Sequence, residues 1–214
     1  MRSTDAKGGG QVVFLSASIP DPDRWSGSFD PFAITDAVVA TARSVFTRGG
    51  KILTAAHPTV APLILQVADA FPDAHPGKLV ILYQSSLFED VIPAATREMM
   101  RREYVDVVFT PATAGERPEP GHWTQSLSVM REAMMTEVPI VAAVFVGGME
   151  GIVDEYERVG AAHPGAVRYA LGRPGGAAAS LTNTSSLASE LATNDLYPWL
   201  LDQVMNEVFG ITRI

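Results

Sequence analysis

Six short apolar runs punctuate this chain, at residues 12–15, 51–54, 78–83, 105–109, 138–146 and, more weakly, 166–171. Stretches with helical spacing fall between them, near 32–46, 60–71, 89–103, 123–136 and 151–160, and two more follow near 176–192 and 196–209. In the first helical stretch Ala33, Ala37, Ala40 and Ser44 recur at that spacing. A strand that is apolar at every position is covered on both faces, and strands alternating with helices make a parallel sheet. Right-handed crossovers then give an α/β, Rossmann-like three-layer sandwich with a mainly parallel sheet of about six or seven strands. No linker, repeat or low-complexity segment divides the chain, so 11–214 reads as one domain behind a flexible, glycine-rich arm at 1–10.

Charge narrows the partners. Sixteen Lys and Arg against 24 Asp and Glu leave a net charge of −8. Such a field repels phosphate backbones and anionic membranes, and the densest basic stretch, residues 97–102, reads as a solvated helix face. Neither nucleic acid nor a membrane is therefore expected as a partner. The absence of cysteine removes disulfides, thiolate nucleophiles and cysteine-held metal together. His75, His122 and His163 are scattered in Pro- and Gly-rich contexts without metal spacing, so no metal and no cofactor is expected. The amino-terminal residues lack an apolar signal core, and the run at 138–146 is too short to cross a bilayer and contains Pro139, which points to the cytoplasm. Neither a G-x-S-x-G elbow nor a G-x-G-x-x-G fingerprint is present, which disfavours an elbow-type hydrolase and a dinucleotide oxidoreductase.

In a parallel sheet of this kind, ligands sit beyond the carboxyl ends of the strands. The residues expected there are small, hydroxylated or glycine-rich. Ser16 and Ser18 follow the first run, His57 and Thr59 the second, Gln84 and Ser85 the third, and Gly147, Gly148 and Gly151 the fifth. Thr59 also reads as the N-cap of the next helix. The three glycines let the backbone turn sharply where a helix begins, and the helix start adds partial positive charge, so phosphate is the natural occupant. The bland alternative is a turn that serves only packing. The run Gly175-Gly176-Ala177-Ala178 reads as a helix packed through small residues in preference to a second close-approach turn, and the pairs Met99-Met100 and Met134-Met135 as core or subunit packing.

At about 100° per residue, Ile152, Val153, Tyr156 and Val159 fall on one stripe, with Glu150, Asp154 and Glu157 opposite. Glu155 stands apart at the edge of the apolar stripe, where a carboxylate borders the core and faces the strand ends, or else forms a rim salt bridge with Arg131.

Residues 146–155, Val-Gly-Gly-Met-Glu-Gly-Ile-Val-Asp-Glu, resemble the Pro-Gly-Gly-x-Gly-Thr-x-x-Glu signature of the SLOG superfamily. That superfamily includes the Lonely Guy phosphoribohydrolases, the DNA-processing Smf proteins and nucleotide-sensing domains linked to anti-phage systems. Residues 130–135, Met-Arg-Glu-Ala-Met-Met, are similar to the Arg-Lys-Ala-Met helix of Lonely Guy enzymes. Thr47-Arg48-Gly49-Gly50, His57-Pro58-Thr59 and Tyr83-Gln84-Ser85 look like the sensor-type branch associated with TIR and Thoeris effectors. The resemblance covers about residues 12–185. It departs from the signature at Val146 in place of proline, at an extra Glu150 inside the turn, and at Ile152 in place of threonine.

The resemblance implies a sensor module for a small nucleotide-derived ligand, ADP-ribose-like or a cyclic nucleotide signal. Its implied contacts are Ser16, Ser18, His57, Thr59, Gln84, Ser85, Arg131, Gly147, Gly148, Gly151 and Glu155, with Arg131 on phosphate and Glu155 on ribose. A homodimer or higher homo-oligomer acting on a separate effector protein goes with that reading. The alternative it implies is a phosphoribohydrolase cleaving the N-glycosidic bond of a nucleoside 5′-monophosphate, with Glu155 and Arg131 catalytic.

Overall fold

Each apolar run becomes a strand because its alternate residues feed two different helical layers. In the computed structural model, which describes residues 10–71, 77–183 and 185–210, Val13 and Leu15 join one buried cluster, while Val12 and Phe14 join the other. Residues 1–9 of the expected arm at 1–10, and His75, lie outside the described residues. The strands are β1 (Val12–Ser18), β2 (Lys51–Ala55), β3 (Val80–Ser85), β4 (Val105–Thr110), β5 (Ala142–Gly147) and β6 (Val167–Leu171). They form a six-stranded sheet in the order β4-β3-β2-β1-β5-β6, and every pairing is parallel.

The first layer holds α1 (Pro31–Thr47), α2 (Ala61–Asp69), α3 (Ala94–Met100), α6 (Ala188–Thr193) and α7 (Tyr197–Phe209), whose buried residues share one cluster. The second holds α4 (Thr124–Glu137) and α5 (Glu150–Ala162), which bury Met130, Met134, Met135, Ile152, Tyr156 and Val159. Both Met134 and Met135 are thus core residues. Phe145 centres the second layer, edge-on to Phe14 at 6.1 Å and to Tyr156 at 5.2 Å between ring centroids. Helix α1 starts where Pro31 presets φ and Asp30 accepts from the amides of Phe32 and Ala33 at 2.9 and 3.1 Å.

Chain order departs from spatial order between β1 and β5. Strands β2 to β4 build outward on one side of β1, and β5 and β6 on the other. This reversal is the topological switch point, the crevice where open α/β sheets take ligands.

Several boundaries differ from the sequence reading, each for a physical reason. Strands β1 and β3 run on through Ser16–Ser18 and Gln84–Ser85, so those four polar positions belong to the ladder and not to loops. The stretch near 89–103 splits into a 3₁₀ segment, Ser86–Val91, and α3, because Pro93 stands at the N-cap of the latter. The stretch near 176–192 is not one helix either: a 3₁₀ turn, Ala177–Ser180, is followed by Asn183, whose carboxamide hydrogen-bonds both backbone groups of Ala170 on β6. Val153, placed on the apolar stripe of α5, is 38% exposed, while Glu155 is buried on that stripe.

Candidate functional site

The switch point is built by contact between backbones. Ser18 stands opposite Gly147 in the ladder, and its carbonyl accepts from the Gly148 amide at 2.8 Å. Gly147 and Gly148 both lie in the left-handed region, at φ +66° and +68°. A Cβ on Gly147 would stand 2.6 Å from the Ser18 carbonyl oxygen, and one on Gly176 would stand 2.5 Å from the Gly147 carbonyl carbon. Two glycine turns therefore rest on each other, joined by the Ala177 amide on the Gly148 carbonyl at 2.9 Å. Gly175 and Gly176, at φ +78° and +69°, form this close-approach turn, not the packed helix that their small neighbours suggested. With the Gly148 amide taken and the Ile152 amide on the Met149 carbonyl at 3.0 Å, the turn's donors toward a ligand are the remaining first amides of α5, at Glu150 and Gly151, which have no preceding helical turn.

Glu155 reaches this crevice from α5. Its Oε2 accepts from Ser16 Oγ at 2.5 Å and its Oε1 from Arg131 Nε at 3.0 Å. Ser16 is 3% exposed and Glu155 8%, so their hydrogen bond is held out of water, with Arg131 partly buried beside it. Such an acid costs little to bury only because both oxygens are partnered and one partner is charged. Arg131 comes from α4. Its Nη2 lies over the first turn of α5, where a Cβ on Gly151 would stand 2.6 Å away. Glycine at 151 thus makes room for a guanidinium at a helix amino terminus, where the helix field favours an anion over a cation. Nη1 is 3.6 Å from Asp154 Oδ2. Asp154 is itself held by Arg158 Nε at 2.9 and 3.0 Å, and Arg158 extends to Glu132 at 3.0 Å and Ser128 at 3.3 Å on α4.

At the end of β2, His57 Nδ1 accepts from the Thr59 amide at 3.3 Å and lies 2.8 Å from Thr59 Oγ1. Thr59 Oγ1 in turn accepts from the Ile19 amide at 3.2 Å, so its hydroxyl proton goes to Nδ1. The ring proton is then on Nε2. Burial holds the imidazole neutral by lowering its pKa to about 4. Thr59 does not cap α2: Val60 occupies that position, without a side-chain cap. At the end of β3, Gln84 spends both ends of its amide on backbone, with Nε2 on the Ala56 carbonyl at 3.3 Å and Oε1 on the Ser85 amide at 2.9 Å. Ser85 is fully buried and caps the following 3₁₀ segment through Leu87 N–H at 3.3 Å.

The chain matches the SLOG cluster3 family over residues 24–205. It belongs to that family. None of the curated proteins matches it. The whole of β1, with Ser16 and Ser18, lies before the matched stretch of this SLOG cluster3 protein.

Of the residues read from the sequence, Ser16, Arg131, Gly151 and Glu155 converge directly, Ser18, Gly147 and Gly148 form the floor beside them, and His57 and Thr59 are tied to the same edge through Ile19. Thr47-Arg48-Gly49-Gly50 falls at the opposite edge, immediately before β2, where Arg48 serves α7. The sequence reading missed Arg158 as the anchor of Asp154, although their i,i+4 spacing signals it. Among the described residues no helix is long and apolar enough to cross a membrane, and no cluster of three metal-ligating side chains occurs.

Proposed function

We propose that this SLOG cluster3 domain is a sensor that binds a nucleotide-derived ligand across the carboxyl edge of its sheet. Family membership supports nucleotide-derivative binding, and the switch point supplies the crevice. The ligand's phosphate lies against the opening amides of α5 and the Nη groups of Arg131, and its ribose hydroxyls donate to Glu155. His57 adds its Nε2 proton from β2, and Ser18 adds its hydroxyl from β1. The effector is a separate protein, and ligand binding biases a homodimer or higher assembly, as in the defence-linked sensors that this chain resembles.

One observation favours an ADP-ribose-like or cyclic ligand over a nucleoside 5′-monophosphate. Arg131 is already shared between Glu155 at 3.0 Å and Asp154 at 3.6 Å. A terminal phosphate carries about −1.5 to −2 charges at neutral pH. Concentrated on one phosphorus, that is more than a half-neutralised guanidinium matches, whereas a phosphodiester or either half of a pyrophosphate presents only about one charge to Arg131. The pairing of Arg131 with Glu155 also favours a second reading, a phosphoribohydrolase in which Arg131 positions the phosphate and Glu155 stabilises the developing positive charge at the ribose carbon.

Incubation with ADP-ribose and with AMP separates the two. Thermal stabilisation by intact ADP-ribose, about 2.7 kcal/mol at a hundredfold excess over Kd, is the expected result. Release of free base from AMP at a rate abolished by Glu155→Gln makes the domain a hydrolase instead. Neither stabilisation nor turnover by either compound rejects the nucleotide site.

A further inference from the structure

The segment between β1 and α1 leaves the switch point and returns to it. Its start is tied by the Ile19 amide to Thr59 Oγ1 at 3.2 Å. Its end is tied to the second glycine turn, with the Asp30 amide on the Pro174 carbonyl at 2.9 Å and the Ser28 carbonyl accepting from Gly176 at 3.0 Å. Between these anchors Asp21 folds a turn. Its carboxylate accepts from the Asp23 amide at 3.0 Å, and its carbonyl from Arg24 and Trp25 at 3.0 and 2.9 Å.

The turn sets Trp25 against the buried cluster that contains Ile152 and Tyr156 of α5 together with Ala177 and Ala178. Gly27 lies against the indole, where a Cβ would stand 2.8 Å from Nε1. The Nε1 donor is buried and has no hydrogen-bond partner among the described residues. The other two tryptophans carry no such burden: Trp123 lies tilted at 58° against Phe88 with ring centroids 5.5 Å apart, and Trp199 is 42% exposed.

Buried donors in folded proteins are satisfied with few exceptions, and one left alone is destabilising. Packing alone does not need this donor, since phenylalanine offers an aromatic face without an N–H. The orphan sits in a loop bound at both ends to the crevice that the proposed ligand fills. We infer that Trp25 is a ligand-binding residue, whose indole N–H donates to an oxygen of the ribose–phosphate portion. The inference rests on the nucleotide-binding reading above. An indole nitrogen donates and never accepts, so it selects acceptor oxygens. Being neutral, it also holds a phosphate without the extra positive charge that the site lacks.

The test uses the whole chain in two forms. In the double variant Trp123→Phe/Trp199→Phe, Trp25 is the sole indole and reports by its fluorescence. In Trp25→Phe, the ring stays and the donor goes. Both are titrated with ADP-ribose, ribose 5-phosphate and adenosine. The expected result is an emission shift of Trp25 with the two phosphates, and a Kd about tenfold weaker for both in Trp25→Phe. The melting temperature of unliganded Trp25→Phe is unchanged or higher, which a merely structural indole would not give together with lost affinity. Wild-type affinity in Trp25→Phe, a silent Trp25 in a liganded protein, or a response to adenosine alone overturns the inference and leaves nucleotide binding standing. No binding of any of the three by the wild type rejects both.

Discussion

Arg48 and Arg131 have similarly buried side chains, 10% and 19% exposed, and each is paired with a carboxylate across two helices. Their surroundings differ. Arg48, at the end of α1, donates from Nη1 to Ser44 O and Oγ at 3.0 and 2.9 Å. Its Nη2 donates to the carbonyl of Asp202 at 3.2 Å, to the Asp202 carboxylate and to Asn206 Oδ1 at 2.7 Å. Both Nη groups are thereby spent on fastening α1 to α7, and among the described residues Nε has no acceptor. Arg131 is arranged the other way round. The hydrogen bond that positions it leaves from Nε, while Nη1 is 3.6 Å from Asp154 and Nη2 lies over Gly151. Burial and pairing therefore do not distinguish a structural arginine from a binding one. The placement of its outer donors does.

Replacing each arginine with lysine keeps the charge and removes the fork, so the contrast becomes measurable. Arg131→Lys is expected to weaken ADP-ribose about a hundredfold while shifting stability by less than about 1 kcal/mol, since lysine still reaches Glu155. Arg48→Lys is expected to lose about 2 kcal/mol of stability, because several hydrogen bonds to α7 go unmade, and to keep its Kd within about twofold. Denaturant unfolding and calorimetric titration of the pair read both quantities. Equal losses of stability with unchanged affinity in both variants would dissolve the distinction.

His57 applies the same question to a neutral group whose Nδ1 is spent on Thr59. Its pKa is about 4 in the folded chain against 6.5 for an unperturbed imidazole. As pH falls, the unfolded chain takes up the proton first, so the stability held by the neutral ring is complete above about pH 6.5 and is lost as pH falls toward about 4. Between pH 7 and pH 5 this amounts to about 2 kcal/mol, and His57→Gln should lack that component in urea unfolding at the two pH values. Ligand affinity gains no pH dependence from His57 between pH 6 and 8, because the ring stays neutral. A titration step there that disappears in His57→Gln contradicts the assignment.

The contrast also marks what the sequence could reveal. Continuous apolar runs disclosed the parallel sheet because burial on both faces leaves a mark at every residue. The helical stagger that set Glu155 apart from Asp154 and Glu157 likewise anticipated its burial beside Arg131. Strand ends were harder to read, since a ladder is held by backbone and continues through Ser16, Ser18, Gln84 and Ser85 whatever their side chains. Arg48 shared a motif with its glycines but not a location with the site, because only the chain direction through β2 places that turn on the far edge. Trp25 left no trace at all. An unsatisfied donor is a property of the folded surroundings, not of the residue.

Asp154 supplies the finest division between the two regions. Both Asp154 and Asp202 face an arginine, but Asp154 does so from 3.6 Å and belongs first to Arg158. Its field opposes an incoming phosphate without holding Arg131 in place. Asp154→Asn is therefore expected to tighten binding of ADP-ribose about threefold at low ionic strength, with the gain shrinking toward 0.5 M salt as screening takes over. The accompanying loss of stability stays near about 0.5 kcal/mol, the scale of an i,i+4 pair on a helix. Asp202→Asn, lacking a ligand to repel, should change stability alone. Weaker binding in Asp154→Asn would mean that Asp154 aligns Arg131 rather than competing for it, and the hydrogen bond from Nε to Glu155 would no longer be a sufficient account of how that guanidinium is positioned.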